Sequence, residues 1–146
     1  MLNDIQRLRE ATGAGVMDCK RALDDAKNDF EAAVDLIKER GLVKAEKKSE
    51  RSTGAGLLET YVHNGRVGVL LELRCETDFV ARADAFRQLA HELVMQIAAM
   101  NPADIDVLSK QPCIKDESMT IEDLVKKNIA LLGENIRIEK FCRYEL

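Results

Sequence analysis

The sequence is poor in aromatic residues: it has no tryptophan, two tyrosines and four phenylalanines among 146 residues. Its core must therefore consist mainly of aliphatic side chains and alanine. Long apolar runs are also missing, since the longest, residues 67–73, contains a glycine and a glutamate, whereas a membrane-spanning helix needs about 20 apolar residues. The N-terminal segment lacks the apolar region of a secretory signal. We expect a cytoplasmic protein, or one of an organellar matrix, with no membrane partner.

Neither sign of charge is in large excess: 26 Asp and Glu stand against 22 Lys and Arg, which gives a formal net charge of −4. A general nucleic-acid binder needs a basic surplus to neutralise phosphates, so we expect no direct nucleic-acid contact. Hydrophobic residues make up 46% of the chain. This fraction excludes a disordered chain and is enough for a folded domain of this length.

Motifs that carry catalytic or metal chemistry are missing as well. The four cysteines form no C-x-x-C pair and the two histidines lie apart, so a zinc cluster is not expected. A partial H-E-x-x-H motif begins at His91, but Met95 stands where the second histidine belongs. Neither a G-x-x-x-x-G-K-[ST] nor a G-x-S-x-G motif is present. We expect no catalytic residue, no metal ligand and no cofactor, and hence no enzyme.

The first 41 residues predict a small bundle of three short helices. Apolar residues recur there at helical spacing in three segments, and Gly13 and Gly41 are expected to end the first and third helices. Such short helices bury little surface, so we expect a patch left for a partner. Residues 42–53 alternate basic and acidic side chains and are predicted to be a partly helical linker. A solvated spacer is favoured there over the alternative of RNA contact.

Residues 54–146 predict a second, larger unit that begins with a β-hairpin. Two strand-like runs flank Asn64-Gly65, a residue pair typical of a two-residue turn. Counting outward from that turn gives a register with one largely apolar face, which we expect to be the core face. The pairs on this face are Val62 with Val67, Thr60 with Val69, and Leu58 with Leu71.

Two helices and a third strand are predicted after the hairpin. One helix is predicted to be capped by Asp84, and the other by Thr120 with Asp123 three residues later. The C-terminal strand starts near residue 135 and carries its apolar residues at alternate positions: Ile136, Ile138, Cys142, Tyr144 and Leu146. Strands and helices in this order indicate an α+β fold with a three-stranded antiparallel sheet.

Three segments carry a resemblance to a known family. They are LREATGAGVMDCKRAL at residues 8–23, CETDFVAR at residues 75–82 and GENI at residues 133–136. In this order and spacing they resemble the elongation factor Ts family, the nucleotide-exchange factors of the GTPase elongation factor Tu. The resemblance implies a three-helix module similar to ubiquitin-associated (UBA-like) domains at residues 1–41. It also implies a core module at residues 54–146 that docks on the GTPase.

The resemblance also implies roles for individual residues. The implied GTPase contacts of the core module are Thr77, Asp78, Phe79 and Val80. This turn is expected to enter the GTPase near its nucleotide and to dislocate the bound Mg²⁺, which bridges the nucleotide phosphates and slows GDP release while it stays in place. The implied contacts of the N-terminal module are Arg9, Val16 and Met17, with Val16 in place of the methionine often found there.

Two alternatives remain open on the residues alone. One places Phe79 in the core as an ordinary packed residue and lets Asp78 cap the following helical turn. The other concerns function: a UBA-like module also fits a protein-binding adaptor without exchange activity. The resemblance favours the exchange factor over both.

Longer members of the family carry two related core halves, whereas residues 54–146 suffice for one. The resemblance therefore implies a homodimer as the active form. The C-terminal strand is a candidate contact, because an unpaired apolar edge favours association. Cys142 lies in this strand, and a reduced, buried thiol is favoured there over the alternative of an intersubunit disulfide. The short loop at residues 109–119 indicates that a coiled-coil insertion of some relatives is missing.

Overall fold

Residues 2–146, which the computed structural model describes, fold into helices and one sheet as predicted. The helices are α1 (Leu2–Thr12), α2 (Val16–Asp25), α3 (Phe30–Lys48), α4 (Asp78–Ala81), α5 (Asp84–Met100), α6 (Ile105–Lys110) and α7 (Ile121–Leu132). The strands are β1 (Ala55–His63), β2 (Val67–Cys75) and β3 (Ile136–Glu145). The prediction of an α+β fold is confirmed. Within the described residues, no helix is both long and apolar enough to span a membrane.

Helices α1, α2 and α3 pack around a small apolar cluster. Its buried members are Leu8, Cys19, Ala22, Leu23 and Ala33. Helix α3 begins after Asp29, whose carboxylate accepts a hydrogen bond of 3.0 Å from the backbone amide of Ala32. This bond satisfies one of the backbone donors that every helix leaves unpaired at its start.

The third helix does not end at Gly41, and that prediction was wrong. Helix α3 continues to Lys48 and so includes most of the segment predicted to be a linker. Gly41 lies where α3 contacts α7, and a Cβ atom at this position would lie 3.4 Å from the Cβ atom of Ala130. Gly41 therefore lies at a contact between two helices instead of ending one.

Helix α3 contributes to both apolar clusters of the chain. Ala33 lies in the N-terminal cluster, whereas Ala45, three turns later, lies in the core beneath the sheet. One continuous helix thus crosses the boundary expected at residue 41. The division of the chain into residues 1–41, 42–53 and 54–146 stays a prediction.

The sheet has the strand order β1-β2-β3, and both strand pairs are antiparallel. Helix α5 covers its inner face and packs on β1 and β2. The N-cap of α5 is Ala83 and not the predicted Asp84, which is the first residue of the helix. The largest fully buried side chains of this core include Leu71, Leu73, Phe86, Leu89, Leu93 and Ile97. Aliphatic side chains thus dominate the core, in keeping with the small number of aromatic residues.

The β1–β2 hairpin has a three-residue loop, not the predicted two-residue turn. His63 pairs with Val67, so residues 64–66 form the connection. Asn64 and Gly65 have positive φ angles of 51° and 65°, which these two residue types adopt readily. Because loop length sets hairpin register, the predicted register was wrong by one residue on β1.

The shifted register exchanges the two faces of β1. The residues predicted to face the core and found exposed are Leu58, Thr60 and Val62. Leu57 and Tyr61 pack against the core in their place. The β2 half of the prediction is confirmed, because Val69 and Leu71 are buried.

Strand β3 contains a β-bulge at Glu139. Leu73 pairs with Ile138, but the preceding Glu72 pairs with Lys140. Glu139 is therefore an extra residue in the ladder. A bulge of this kind reverses the alternation of side chains beyond it.

The bulge changes which residues of β3 face outward. Ile136 and Ile138 are buried as predicted, whereas Cys142 and Tyr144, which the alternation placed on the same face, are exposed. The expectation of a buried Cys142 thiol was therefore wrong. Together with the register shift in β1, the bulge produces an outer sheet face with several exposed apolar side chains. These are Leu58, Val62, Leu70 and Tyr144.

Helix α7 begins with the predicted capping box. The Thr120 hydroxyl oxygen accepts from the amide of Asp123, and the Asp123 carboxylate accepts from the amide of Thr120, both at 3.2 Å. Gly133 ends the helix in the left-handed conformation with a φ angle of 77°. This end directs residues 134 and 135 towards the start of α4.

Gly56 in β1 is required by the close approach of the neighbouring strand. A Cβ atom at this position would lie 2.3 Å from the carbonyl oxygen of Leu73 and 3.0 Å from the Cα atom of Arg74. Both contacted atoms belong to the backbone, so no side-chain rotation relieves the clash.

We expect Gly56→Ala to lower the free energy of unfolding by about 2–3 kcal/mol, because β1 and β2 must separate locally. The matched control is Gly54→Ala, just before β1, where nothing lies within 4 Å of an added Cβ atom; its change should stay within about 0.5 kcal/mol. Urea unfolding followed by circular dichroism measures both values. Equal destabilisation by the two variants would contradict the close approach.

Candidate functional site

Residues 77–80, which we call the tip, project a phenyl ring from the end of β2. The ring of Phe79 is 88% exposed, and Asp78 beside it is also exposed. The next residues, Val80 and Ala81, are each 7% exposed and belong to the core. A single helical turn thus directs Phe79 outward while its neighbours anchor the turn. The alternative of a core position for Phe79 is wrong.

Thr77 is the N-cap of this turn, not Asp78. Its hydroxyl oxygen accepts from the amide of Val80 at 3.4 Å and donates to the Glu134 carboxylate at 2.7 Å. The backbone amide of Thr77 donates to the other oxygen of the same carboxylate at 3.0 Å. Asp78 therefore does not cap the turn, and its carboxylate lies at the exposed surface beside the ring.

Cys75 supports the tip from below. Its thiol donates a hydrogen bond to the carbonyl oxygen of Thr77 at 3.2 Å. Burial raises the pKa of the Cys75 thiol above its ordinary value, and the nearby Glu134 carboxylate acts in the same direction. A raised pKa keeps the thiol protonated at neutral pH, so it remains a hydrogen-bond donor.

A second set of hydrogen bonds joins the base of the tip to the end of α3. The Glu76 carboxylate accepts from the amide of Asn135 at 2.8 Å and lies 3.6 Å from the Arg51 guanidinium. The side-chain amide of Asn135 donates to the carbonyl oxygens of Ser49 and Arg51, at 3.2 Å and 2.8 Å. Asn135 is only 4% exposed. The chain after α3, the tip and the start of β3 are therefore fixed to each other.

An open groove of about 460 Å³ runs beside the tip. It lies between β1 and the α4–α5 segment, and charged side chains of both signs contribute to its walls. The lining residues are Gly56, Leu57, Leu58, Glu59, Asp78, Ala81, Arg82 and Arg87. A partner segment in this groove would contact Asp78 directly.

The three N-terminal residues singled out by sequence lie around the turn between α1 and α2. Arg9 is in the last turn of α1, and Val16 and Met17 form the first turn of α2. All three are exposed, with Val16 at 50% and Met17 at 58%. These side chains are available at the surface for a partner.

The tip residues differ in what they offer to a partner. Thr77, Asp78 and Phe79 are exposed, whereas the Val80 side chain is occupied in the protein's own core. Within residues 2–146, no three His, Cys, Asp or Glu side chains are grouped so that they could hold a metal ion. The arrangement offers an apolar ring next to a carboxylate on a fixed turn.

Comparison with known proteins assigns the family. The sequence model of the elongation factor Ts family matches residues 76–146, which include the tip and the segment after Gly133. Elongation factor Ts of Thermotoga neapolitana is 40% identical over 186 aligned positions, covering 97% of this chain and 94% of the relative. The chain belongs to the elongation factor Ts family. Elongation factor Ts of Coprothermobacter proteolyticus is 39% identical, covering 97% of the chain and 95% of the relative.

The family relatives are longer than this chain. The aligned stretch of 186 positions exceeds the 146 residues present here. The relatives therefore carry residues that this chain lacks. That the short connection around residues 109–119 is the place of the difference stays a prediction.

Sequence reasoning missed the residues that hold the tip. Glu134 and Asn135 lie nearly sixty positions beyond Thr77 in the chain, and their bonds to the tip region depend on how β3 returns beside β2. The only available signal was their presence in the GENI segment of the family resemblance. Cys75 and Glu76 were likewise part of a motif, without a role derived for them.

Proposed function

We propose that this member of the elongation factor Ts family promotes GDP release from elongation factor Tu during translation elongation. In this proposal the tip enters the GTPase near its nucleotide, and Asp78 and Phe79 disturb the coordination of the bound Mg²⁺. The observation that carries the proposal is the 88% exposure of the Phe79 ring on a turn that the core and Glu134 hold in place. A phenyl ring held in water by a fixed turn leaves its burial energy available for contact with a partner.

The energy of burying the Phe79 ring is large enough to weaken GDP binding substantially. Burying a phenylalanine side chain contributes about 1.5–3 kcal/mol, equivalent to roughly 10- to 150-fold in an equilibrium constant. If this energy is gained only with the empty GTPase, GDP and the factor weaken each other's binding by the same ratio. Mg²⁺ neutralises the charge of the nucleotide phosphates, so its displacement weakens GDP further. No covalent step is needed.

The N-terminal patch supplies a second contact in the same proposal. Val16 and Met17 are exposed apolar residues at the start of α2, and Arg9 adds a positive charge in the last turn of α1. We assign them to binding of the GTPase and not to displacement of Mg²⁺. Two separated contacts on one chain raise affinity, because the second forms at high effective concentration.

We also propose that the active form is a homodimer that pairs the outer sheet face with its copy. The solvent-exposed face of an antiparallel sheet usually carries polar residues. Here Leu58 and Val62 are 68% and 67% exposed, and Tyr144 is 78% exposed. A self-complementary apolar face of this kind fits a two-fold contact. This assigns the contact to the face of the sheet, instead of the edge of β3 considered first.

We expect Phe79→Ala to lower the saturating rate of GDP release by roughly 10- to 150-fold, because the burial energy of the ring is lost. Asp78→Ala combined with Phe79→Ala should abolish the acceleration. Val107→Ala on α6, at a residue 44% exposed, is the control. Stopped-flow release of fluorescent GDP from elongation factor Tu measures the rates. Binding of the intact protein without faster release would refute the proposal and support the adaptor.

We expect Met17→Asp to raise the concentration needed for half-maximal GDP release by about tenfold, since a charge replaces an apolar contact. The saturating rate should change little, because the tip is intact. The matched control is Leu2→Asp, which introduces the same charge at the start of α1, at the end of that helix opposite Arg9. A fall in the saturating rate with an unchanged half-maximal concentration would contradict the assignment of this patch to binding.

We expect Leu70→Glu to weaken the dimer at least about 100-fold, because two unpaired carboxylates would be buried in the interface. Light scattering coupled to size-exclusion chromatography measures the mass as a function of concentration. Val107→Glu, which introduces the same charge on α6, should leave the mass unchanged. An intact protein that is monomeric at about 100 μM would refute the dimer.

A further inference from the structure

We propose that Glu134 is the positioning residue of the tip: its carboxylate holds Thr77 by two hydrogen bonds and thereby fixes the direction in which Phe79 projects. The inference rests on the proposed function in so far as the tip is the part that acts on the GTPase. The first part of the inference, that Glu134 holds the tip in place, concerns this chain alone. Neither the sequence motifs nor the family assignment gives Glu134 a role.

The tip needs an external hold because it is too small to be stable alone. Helix α4 has four residues, whereas isolated helices shorter than about 12 residues are marginal in water. The exposed ring of Phe79 contributes no packing of its own in the free protein. Val80 and Ala81 anchor the far end of the turn in the core, so the end that needs a further hold is the N-cap end at Thr77.

Glu134 acts on the residue that starts the turn. The Thr77 hydroxyl has one hydrogen to donate, and the Glu134 carboxylate receives it at 2.7 Å. A lone pair of the same oxygen is then available for the amide of Val80. The second carboxylate oxygen accepts from the Thr77 backbone amide at 3.0 Å. One side chain thus orients both the backbone and the hydroxyl of the N-cap.

The hydrogen bonds that Glu134 accepts are stronger than the capping bond from the Val80 amide. Hydrogen bonds to a carboxylate are shorter and about twice as strong as those between neutral groups. The bond from the Thr77 hydroxyl to Glu134 is 2.7 Å long, whereas the capping bond to Val80 is 3.4 Å long. The capping bond is therefore the weaker link, and its geometry depends on how Glu134 turns the hydroxyl.

Glu134 itself stands on a fixed part of the chain. It follows Gly133, which ends α7, and precedes Asn135, which is buried and bonded to the carbonyl oxygens of Ser49 and Arg51. The carboxylate is thus carried by backbone that is held on both sides. A rigid support is what a positioning residue requires, because its own motion would be passed to the tip.

The test compares Glu134→Ala and Glu134→Gln with the unmodified protein in two measurements. Amide hydrogen exchange of residues 78–82 in the free protein reports how firmly the turn is held. GDP release from elongation factor Tu, measured over a range of factor concentrations, separates the saturating rate from the half-maximal concentration. Glu117→Ala, an exposed carboxylate in the connection between α6 and α7, is the matched control.

For Glu134→Ala we expect amide exchange in residues 78–82 to be about tenfold faster, and the saturating release rate to fall about tenfold. The half-maximal concentration should change less than about twofold, because the N-terminal patch is intact. Glu134→Gln, which keeps one acceptor oxygen, should give intermediate values for both. In a Thr77→Val background, the effect of Glu134→Ala should become smaller, because the shared hydroxyl bond is already lost.

Unchanged amide exchange in residues 78–82 of both Glu134 variants would overturn the proposal, whatever the release rates are. Faster exchange in the tip together with an unchanged saturating rate would overturn the functional half. Faster exchange spread over α5 and the sheet, with a general loss of stability, would assign Glu134 a purely structural role and also overturn it. If the unmodified protein fails to accelerate GDP release, the proposed function fails, and hydrogen exchange still decides whether Glu134 holds the tip.

Discussion

The exposure of Phe79 depends on the burial of its neighbours. Val80 and Ala81 are held in the core beneath the sheet, and one helical turn rotates successive side chains by about 100°, so the residue before them points into water. Thr77 closes the turn and is itself held by Glu134. The packed core thus holds the far end of the tip, and the Glu134 carboxylate holds its N-cap.

The elements were predictable where local rules decide the structure. The capping box at Thr120 and the apolar spacing of α5 depend on residues within a few positions of each other, and both are confirmed. The hairpin register was wrong because Asn64-Gly65 fits loops of two or three residues, and local sequence does not distinguish them. The bulge at Glu139 was not predicted for a similar reason, because it depends on how β3 pairs with β2.

The candidate site likewise contains some residues that were predictable from local sequence and others that were not. Exposed candidate residues such as Phe79 lie inside short motifs, so a resemblance was enough to single them out. The residues that support them were not predictable, because Glu134 and Asn135 reach the tip region across nearly sixty positions of chain. Gly41 illustrates the general difficulty. Local rules predict that this glycine ends a helix, whereas it lies inside α3 at the contact with Ala130 on α7.

A firmly held tip matters more for an exchange factor than for a simple adaptor. An adaptor can order a flexible loop as it binds and accept the loss of affinity. An exchange factor must use its binding energy to weaken the hold of another molecule on GDP, and any part spent on ordering its own tip is unavailable for that purpose. The two bonds from Thr77 to Glu134 and the buried side chain of Val80 supply this order before the partner is met. Under the proposed function, the energy of burying the Phe79 ring then remains available to oppose nucleotide binding.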